Sequence, residues 1–292
     1  MKLVVLTAAA GTLAALTMAG CGGGDGNAAP EQFTGVPLEL QDPGPVHVHG
    51  LGFDRSSKTL YIATHTGMFE LPATAQKARR IGDSHQDTMG FTLVEPNLFL
   101  GSGHPDARAN LPSHLGLIKS TDRGRTWQPV SLLGEADFHV LRSQGTTVYG
   151  FDSRSERLLA STDSGLTWTR RTAPQALVDL AVNPSDPNHL LASGSTVLYE
   201  SRNGGRSWKA VASGVAGYLA WPAPDRVYLA DPSGGFLSSP GASGPWRSRT
   251  ALASPAAALL AIDEETLVAA LHDGSIVRSD SGGMTWEVRA TP

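Results

Sequence analysis

Ser161-Thr162-Asp163-Ser164-Gly165-Leu166-Thr167-Trp168 decides the fold, because the chain keeps returning to it. Ser120 to Trp127 repeats it with Asp122 and Gly124 in the same slots. Ser201 to Trp208 puts Asn203 in the Asp slot and keeps Gly205, and Ser279 to Trp286 puts Ser281 there and keeps Gly283. A worn copy spans Ser239 to Trp246. A fixed period of about 40 residues marks a solenoid, a propeller or an array, whose units bury their apolar faces against one another. Each copy has the chemistry of a tight hairpin turn. Ser and Asp side chains bond to nearby backbone N–H groups, and Gly takes the φ > 0 position. Thr and Trp then open the outgoing strand, with the indole packed under the turn.

The pattern Ser-x-Asp-x-Gly-x-Thr-Trp resembles the Asp-box, or BNR repeat, of sialidases and many secreted β-propellers. The resemblance covers nearly everything after residue 45. It implies an all-β propeller. It implies an activity only weakly, since such boxes also occur in propellers that catalyse nothing. The boxes do not read as calcium sites, because none supplies the several oxygens that calcium requires.

The chain has 292 residues with a net charge of −4, which gives no electrostatic footprint for nucleic acid. Its 33 Gly and 19 Pro suit many short strands and turns. Residues 1–21 read as a targeting segment: Lys2, an apolar stretch from Leu3 to Met18, then Met18-Ala19-Gly20-Cys21. That last run resembles the bacterial lipobox and implies cleavage before Cys21, lipidation of its thiol and a lipid-anchored place in the cell envelope. Cys21 is the only cysteine, so no disulfide is expected in a domain large enough to do without one. The Gly-, Asp- and Pro-rich stretch 22–45 reads as a flexible tether.

Residues 46–292 divide into six units of four short strands, A to D. A first strand over Val46 to Asp54 opens unit one, whose C-to-D turn is not of the repeated type. Later units open at Asp87-Thr88-Met89, Asp137-Phe138-His139, Leu177-Val178-Asp179, Gly217-Tyr218-Leu219 and Ala258-Leu259-Leu260. Residues 31–45 could supply strands for a seventh blade. Counting back from the tryptophans puts His49, Met89, His139, Asp179 and Tyr218 at one level of the innermost strands. His47, Asp87 and Asp137 lie two residues earlier, and strand alternation points each pair the same way. Unit two is about nine residues longer than its neighbours, an excess assigned to 104–112 between its strands B and C. The B-to-C loops share the ring's side of the domain and bring His65, His104, Asp106 and His272. Lys and Arg are nearly absent from this level, while seven of nine histidines fall between 47 and 139.

His and Asp converging from three units point to a metal or small-ligand site. The expected ligands are His47, His49 and His139, with His65 and His104 as alternates, Met89 suiting copper and imidazole suiting copper or zinc. Asp87, Asp137 and Asp179 would be further ligands or would fix the imidazole tautomers. The sialidase resemblance offers a second reading, a glycoside hydrolase using Asp87, Asp137, Asp179 and Tyr218. Only Arg108 on the ring-side loops could match the three arginines that sialidases use, so sialic acid is a poor fit and a neutral glycoside a better one. A third reading is a monomeric docking or assembly propeller, as in photosynthetic assembly factors and sortilin-type receptors, which the Asp-box pattern also resembles. Trp127, Trp168, Trp208 and Trp286 read as core, and His189 as a solvated or strand-end residue.

Overall fold

The computed structural model describes Asp42 and residues 44–291. Cys21, the targeting segment and all but the end of the tether lie outside them. The described residues form six four-stranded antiparallel sheets and no helix. Blade one is β1 (Val48–Asp54), β2 (Thr59–Thr64), β3 (Gly67–Pro72) and β4 (Arg79–Arg80); blade two is β5 (Asp87–Glu95), β6 (Leu98–His104), β7 (Leu117–Ser120) and β8 (Gln128–Ser131). Blade three is β9 (Phe138–Gln144), β10 (Thr147–Asp152), β11 (Arg157–Ser161) and β12 (Thr169–Arg171); blade four is β13 (Asp179–Asn183), β14 (Asp186–Ser193), β15 (Val197–Ser201) and β16 (Lys209–Ser213). Blade five is β17 (Tyr218–Ala223), β18 (Arg226–Ala230), β19 (Phe236–Ser239) and β20 (Arg247–Ser248); blade six is β21 (Ala256–Ala261), β22 (Leu267–Leu271), β23 (Ile276–Ser279) and β24 (Glu287–Ala290). The first strand of each blade packs against the first strands of its two neighbours, and β21 returns to β1, so the ring closes at six.

The repeated turns join the third and fourth strands. In four of them the Ser Oγ accepts the Gly N–H four residues on, at 2.8 Å for Gly124 and Gly165 and 2.9 Å for Gly205 and Gly283. Those glycines have φ between 78° and 86°, where a Cβ would be strained. Asp122 and Asp163 each accept the N–H of the following Thr at 2.9 Å and its hydroxyl at 2.6 Å. Asn203 and Ser281 accept the N–H in the same place, from Ser207 and Thr285, at 3.0 Å.

The core lies between blades rather than at one centre. Phe91 and Phe99 of blade two pack with Tyr61, Ala63 and Met68 of blade one, and Trp127 of blade two covers that cluster. Trp168, Trp208, Trp246 and Trp286 each cover the interface between their own blade and the one before. Blade one has no such tryptophan. Its seam with blade six is filled by Leu60, Ile62, Leu71, Val268 and Ile276. There Arg289 of β24 donates to the carbonyls of Ala75, Pro72 and Ala73 at 2.7–2.8 Å.

Candidate functional site: paired histidine and aspartate clusters

The histidines are aimed by irregularities in the inner strands. β1 starts at Val48, two residues later than expected, because His47 sits at φ 50° and ends the extended backbone. The β1–β2 pairing jumps from Val48–Thr64 to Gly50–Ala63, leaving His49 as a bulged residue. The β5–β6 pairing does the same around Met89, and the β9–β10 pairing around His139. Blades four and five pair regularly through Asp179 and Tyr218. A bulge re-aims the side chain that carries it. Simple alternation therefore fails here, and His47 and His49 do not form the expected same-face pair.

Instead, both flank His65, with ring centroids 6.1 Å and 6.2 Å from it. The His65 Nδ1 lies 2.9 Å from Asp87 Oδ2, and His49 Nε2 lies 3.5 Å from Asp87 Oδ1. His49, His65 and Asp87 can each turn one donor atom to a common centre, all three atoms lying within 4.8 Å of one another. The His49 Nε2 and Asp87 Oδ1 atoms are buried without a hydrogen-bond partner.

A second group of the same composition joins blades two and three. His104, His114 and Asp137 also present donors within 4.8 Å of one another. His104 is the last residue of β6, and His114 lies on the long loop that follows. The loop returns because Leu115 N–H donates to Gly103 O at 2.9 Å and Gly116 N–H to Ala136 O at 3.1 Å. Asp137 also accepts from His139 Nε2 at 3.1 Å. Burial pushes the Asp137 carboxyl up; the His139 hydrogen bond and the charges of His139, His104 and His114 outweigh it and hold the group below the ordinary carboxylate range.

The third inter-blade position is different. Asp179 is fully buried; its Oδ1 accepts from Arg142 and Leu180 N–H, its Oδ2 from Leu219 N–H. Burial pushes this carboxyl up, against the opposing Arg142 charge. Burial, then the Asp179 charge, push the Tyr218 phenol up as well. Arg142, His49, His139, Asp179 and Tyr218 all line one cavity of about 280 Å³ along the ring axis. Arginine, expected to be nearly absent from this level, does reach the cavity: Arg142 enters three residues beyond His139 on β9.

The other expected site residues separate from these groups. His47 is exposed and shares a cavity of about 260 Å³ with His272 and Asp273 at the seam of blades six and one. Asp106 accepts from His85 N–H and from the Arg108 backbone and guanidinium, which ties up the base of its loop. Met89 is half-buried on its bulge. His189 is buried inside β14, bonded to Glu200 Oε1 at 2.7 Å and edge-on to Trp221, so it is neither solvated nor terminal. His114, which the sequence placed only near the ring-side loops and outside the candidate site, belongs to the group; its signal was its position just past the excess length of unit two.

A family model described as Sortilin-Vps10, "Sortilin, neurotensin receptor 3", matches residues 116–232, less than half of the chain. No curated protein matches it. Among solved structures, the chain is similar to the GH74 enzyme of Niastella koreensis, with 18% identity and a TM-score of 0.60 over 84% of this chain and 45% of that one. It is similar to a structure described as YCF48 bound to D1 peptide, with 15% identity, a TM-score of 0.54, and 84% and 83% coverage. A nidogen/laminin complex matches with 12% identity, a TM-score of 0.63, and 80% and 93% coverage. The chain spans less than half the length of the GH74 enzyme, and identities this low speak for the β-propeller fold alone.

Proposed function

We propose that this is an exported, lipid-anchored propeller, attached through Cys21, that binds a copper or zinc ion at the mouth of its central channel through His49, His65 and Asp87. One observation carries the reading: His49 Nε2 and Asp87 Oδ1 are buried, face each other at 3.5 Å and have no hydrogen-bond partner. Buried polar atoms left unpaired are costly, and a cation between them would satisfy both. Two imidazoles and a carboxylate match catalytic or exchangeable zinc sites, which keep a position for water or ligand. That position would face the channel, which His49 lines. Donors must be deprotonated, so binding weakens on acidification. Glycoside hydrolysis fits less well, because Asp87 and Asp137 are engaged by imidazoles and both oxygens of Asp179 are taken.

The test is elemental analysis of the full chain, prepared without a histidine tag, beside a His49→Ala/His65→Ala variant. Copper or zinc retained by wild type and lost from this site in the variant supports the reading. Equal metal content in the two proteins sinks it. For the anchor, mass spectrometry of membrane-fraction protein should find acyl chains on Cys21, and Cys21→Ser should release the chain from membranes.

A further inference from the structure

We infer that the chain holds a second, independent metal ion at His104, His114 and Asp137, where it fastens the long β6–β7 loop of blade two onto blade three. The inference uses none of the residues of the channel-mouth site and stands or falls separately.

The donor set is prepared for a cation in three ways. First, His104 Nδ1 lies 2.8 Å from the carbonyl of Ser113, which can only accept. The ring proton is therefore on Nδ1, and the Nε2 lone pair is left toward Asp137, whose Oδ2 is 3.7 Å away. Metal-ligating histidines usually have such a carbonyl on the other ring nitrogen, fixing the tautomer. Second, two polar atoms of the group are buried without partners: Asp137 Oδ1 and His114 Nδ1. The Asp137 side chain is only 7% exposed, so its unpaired oxygen is well removed from water. Third, His139 donates to the other Asp137 oxygen, Oδ2, at 3.1 Å and so holds the carboxylate in place. Bonds of about 2.0–2.2 Å to zinc would draw the three donors together from their present spread.

The place of the group says what its ion would do. His104 precedes the loop, His114 closes it, and Asp137 opens the next blade. Within the loop, Arg108 is exposed, its guanidinium held only by Asp106 and the Asp83 carbonyl among the described residues. Between His104 and Leu117 the described backbone bonds cluster at the return, at His114, Leu115 and Gly116, with His114 O accepting from Gly134 N–H at 2.8 Å, and one short turn joins Ala109 N–H to Asp106 O. A metal crosslink would add a side-chain tie from the loop to Asp137, beyond the two backbone bonds that already join its return to residues 134–136.

The full chain, free of any tag, would be loaded with zinc, dialysed and analysed for metal. Two ions per chain are expected in wild type. His104→Ala/His114→Ala should lose one, His49→Ala/His65→Ala the other. Trypsin cleavage after Arg108 should slow on zinc addition, by up to about a hundredfold at free zinc near 100 times Kd, and recover with chelator. The His104/His114 variant should lose this protection, with the thermal transition of the zinc-free protein checking that it folds. Asp137→Asn, near isosteric, should weaken zinc protection in the same direction. One ion that vanishes only with His49 and His65, or cleavage at Arg108 in wild type that ignores zinc, would overturn the inference and leave the channel-mouth reading standing. One ion that vanishes only with His104 and His114 would do the reverse.

Discussion

At the scale of single residues, the repeated turn depends on one serine more than on its aspartate. Ser161 is 2% exposed, and its Oγ accepts the Gly165 N–H while donating to Asp163. Ser161→Ala leaves that buried N–H unpaired, and we expect a loss of about 1–3 kcal/mol in urea unfolding. Leu166, 66% exposed in the same turn, should change stability by less than about 0.5 kcal/mol when replaced by Ala. This ranking explains why Asn203 and Ser281 could take the Asp slot in copies that keep the Ser and Gly slots. Gly103 is the matching case beside the clusters. Its φ is 132°, and a Cβ there would sit 2.2 Å from Asp87 O and 2.8 Å from Met89 N. Both neighbours are backbone atoms, so Gly103→Ala should cost about 1–3 kcal/mol and disturb Asp87. Equal urea midpoints for wild type and Gly103→Ala would show that β5 yields without strain.

Individual strands and turns were legible where periodicity sets them. The turn repeat and its ruler gave the strand order, the inner level and the long loop of blade two. The ruler could not show that residues 49, 89 and 139 are bulged, since a bulge changes pairing without changing the count along the chain. It therefore located His49 and His139 but set His47 ahead of the alternates His65 and His104, whereas the structure groups His49 with His65 and His104 with His114. Loop histidines follow no period, and nothing in the sequence places His114 beside His104 except the Leu115–Gly103 bond that only the fold reveals. One turn outside the repeat supplies a test in acid. Asp54 caps the β1–β2 turn by accepting from Ser56 and Ser57 through backbone and hydroxyl groups. Burial pushes its carboxyl up, but these hydrogen bonds win and lower it from 3.8 to about 2. The unfolded group binds its proton first on acidification, so the stabilisation is complete above pH 3.8 and fades as pH falls toward about 2. The stability lead of wild type over Asp54→Asn should shrink across that window; a lead that stays constant from pH 5 to about 2 would contradict the shift.

For the whole molecule, the uneven point is the seam where the ring closes. Five interfaces are each covered by a tryptophan from the later blade, and the sixth, between blades six and one, is not. The absence follows from the sequence, because unit one lacks the repeated turn that would deliver its indole. Arg289 takes over part of that work by binding three carbonyls of the β3–β4 connection, which lie more than 210 residues earlier in the chain. Among the described residues no strand is exchanged between blades one and six; all four strands of each come from contiguous segments. Closure therefore rests on the inner β1–β21 contact, the apolar cluster and this one guanidinium. Arg289→Ala should cost about 1–3 kcal/mol, as expected for hydrogen bonds from a charged donor, and Arg289→Lys should recover only part of it because an ammonium lacks the planar fork. The effect should be local before it is global. Hydrogen exchange should quicken first in β24 and in the 72–81 segment, while β9 to β16 on the far side of the ring keep wild-type protection. Uniform quickening across all six blades would mean instead that the ring opens as one cooperative unit and that the seam is no weaker than the tryptophan-covered interfaces.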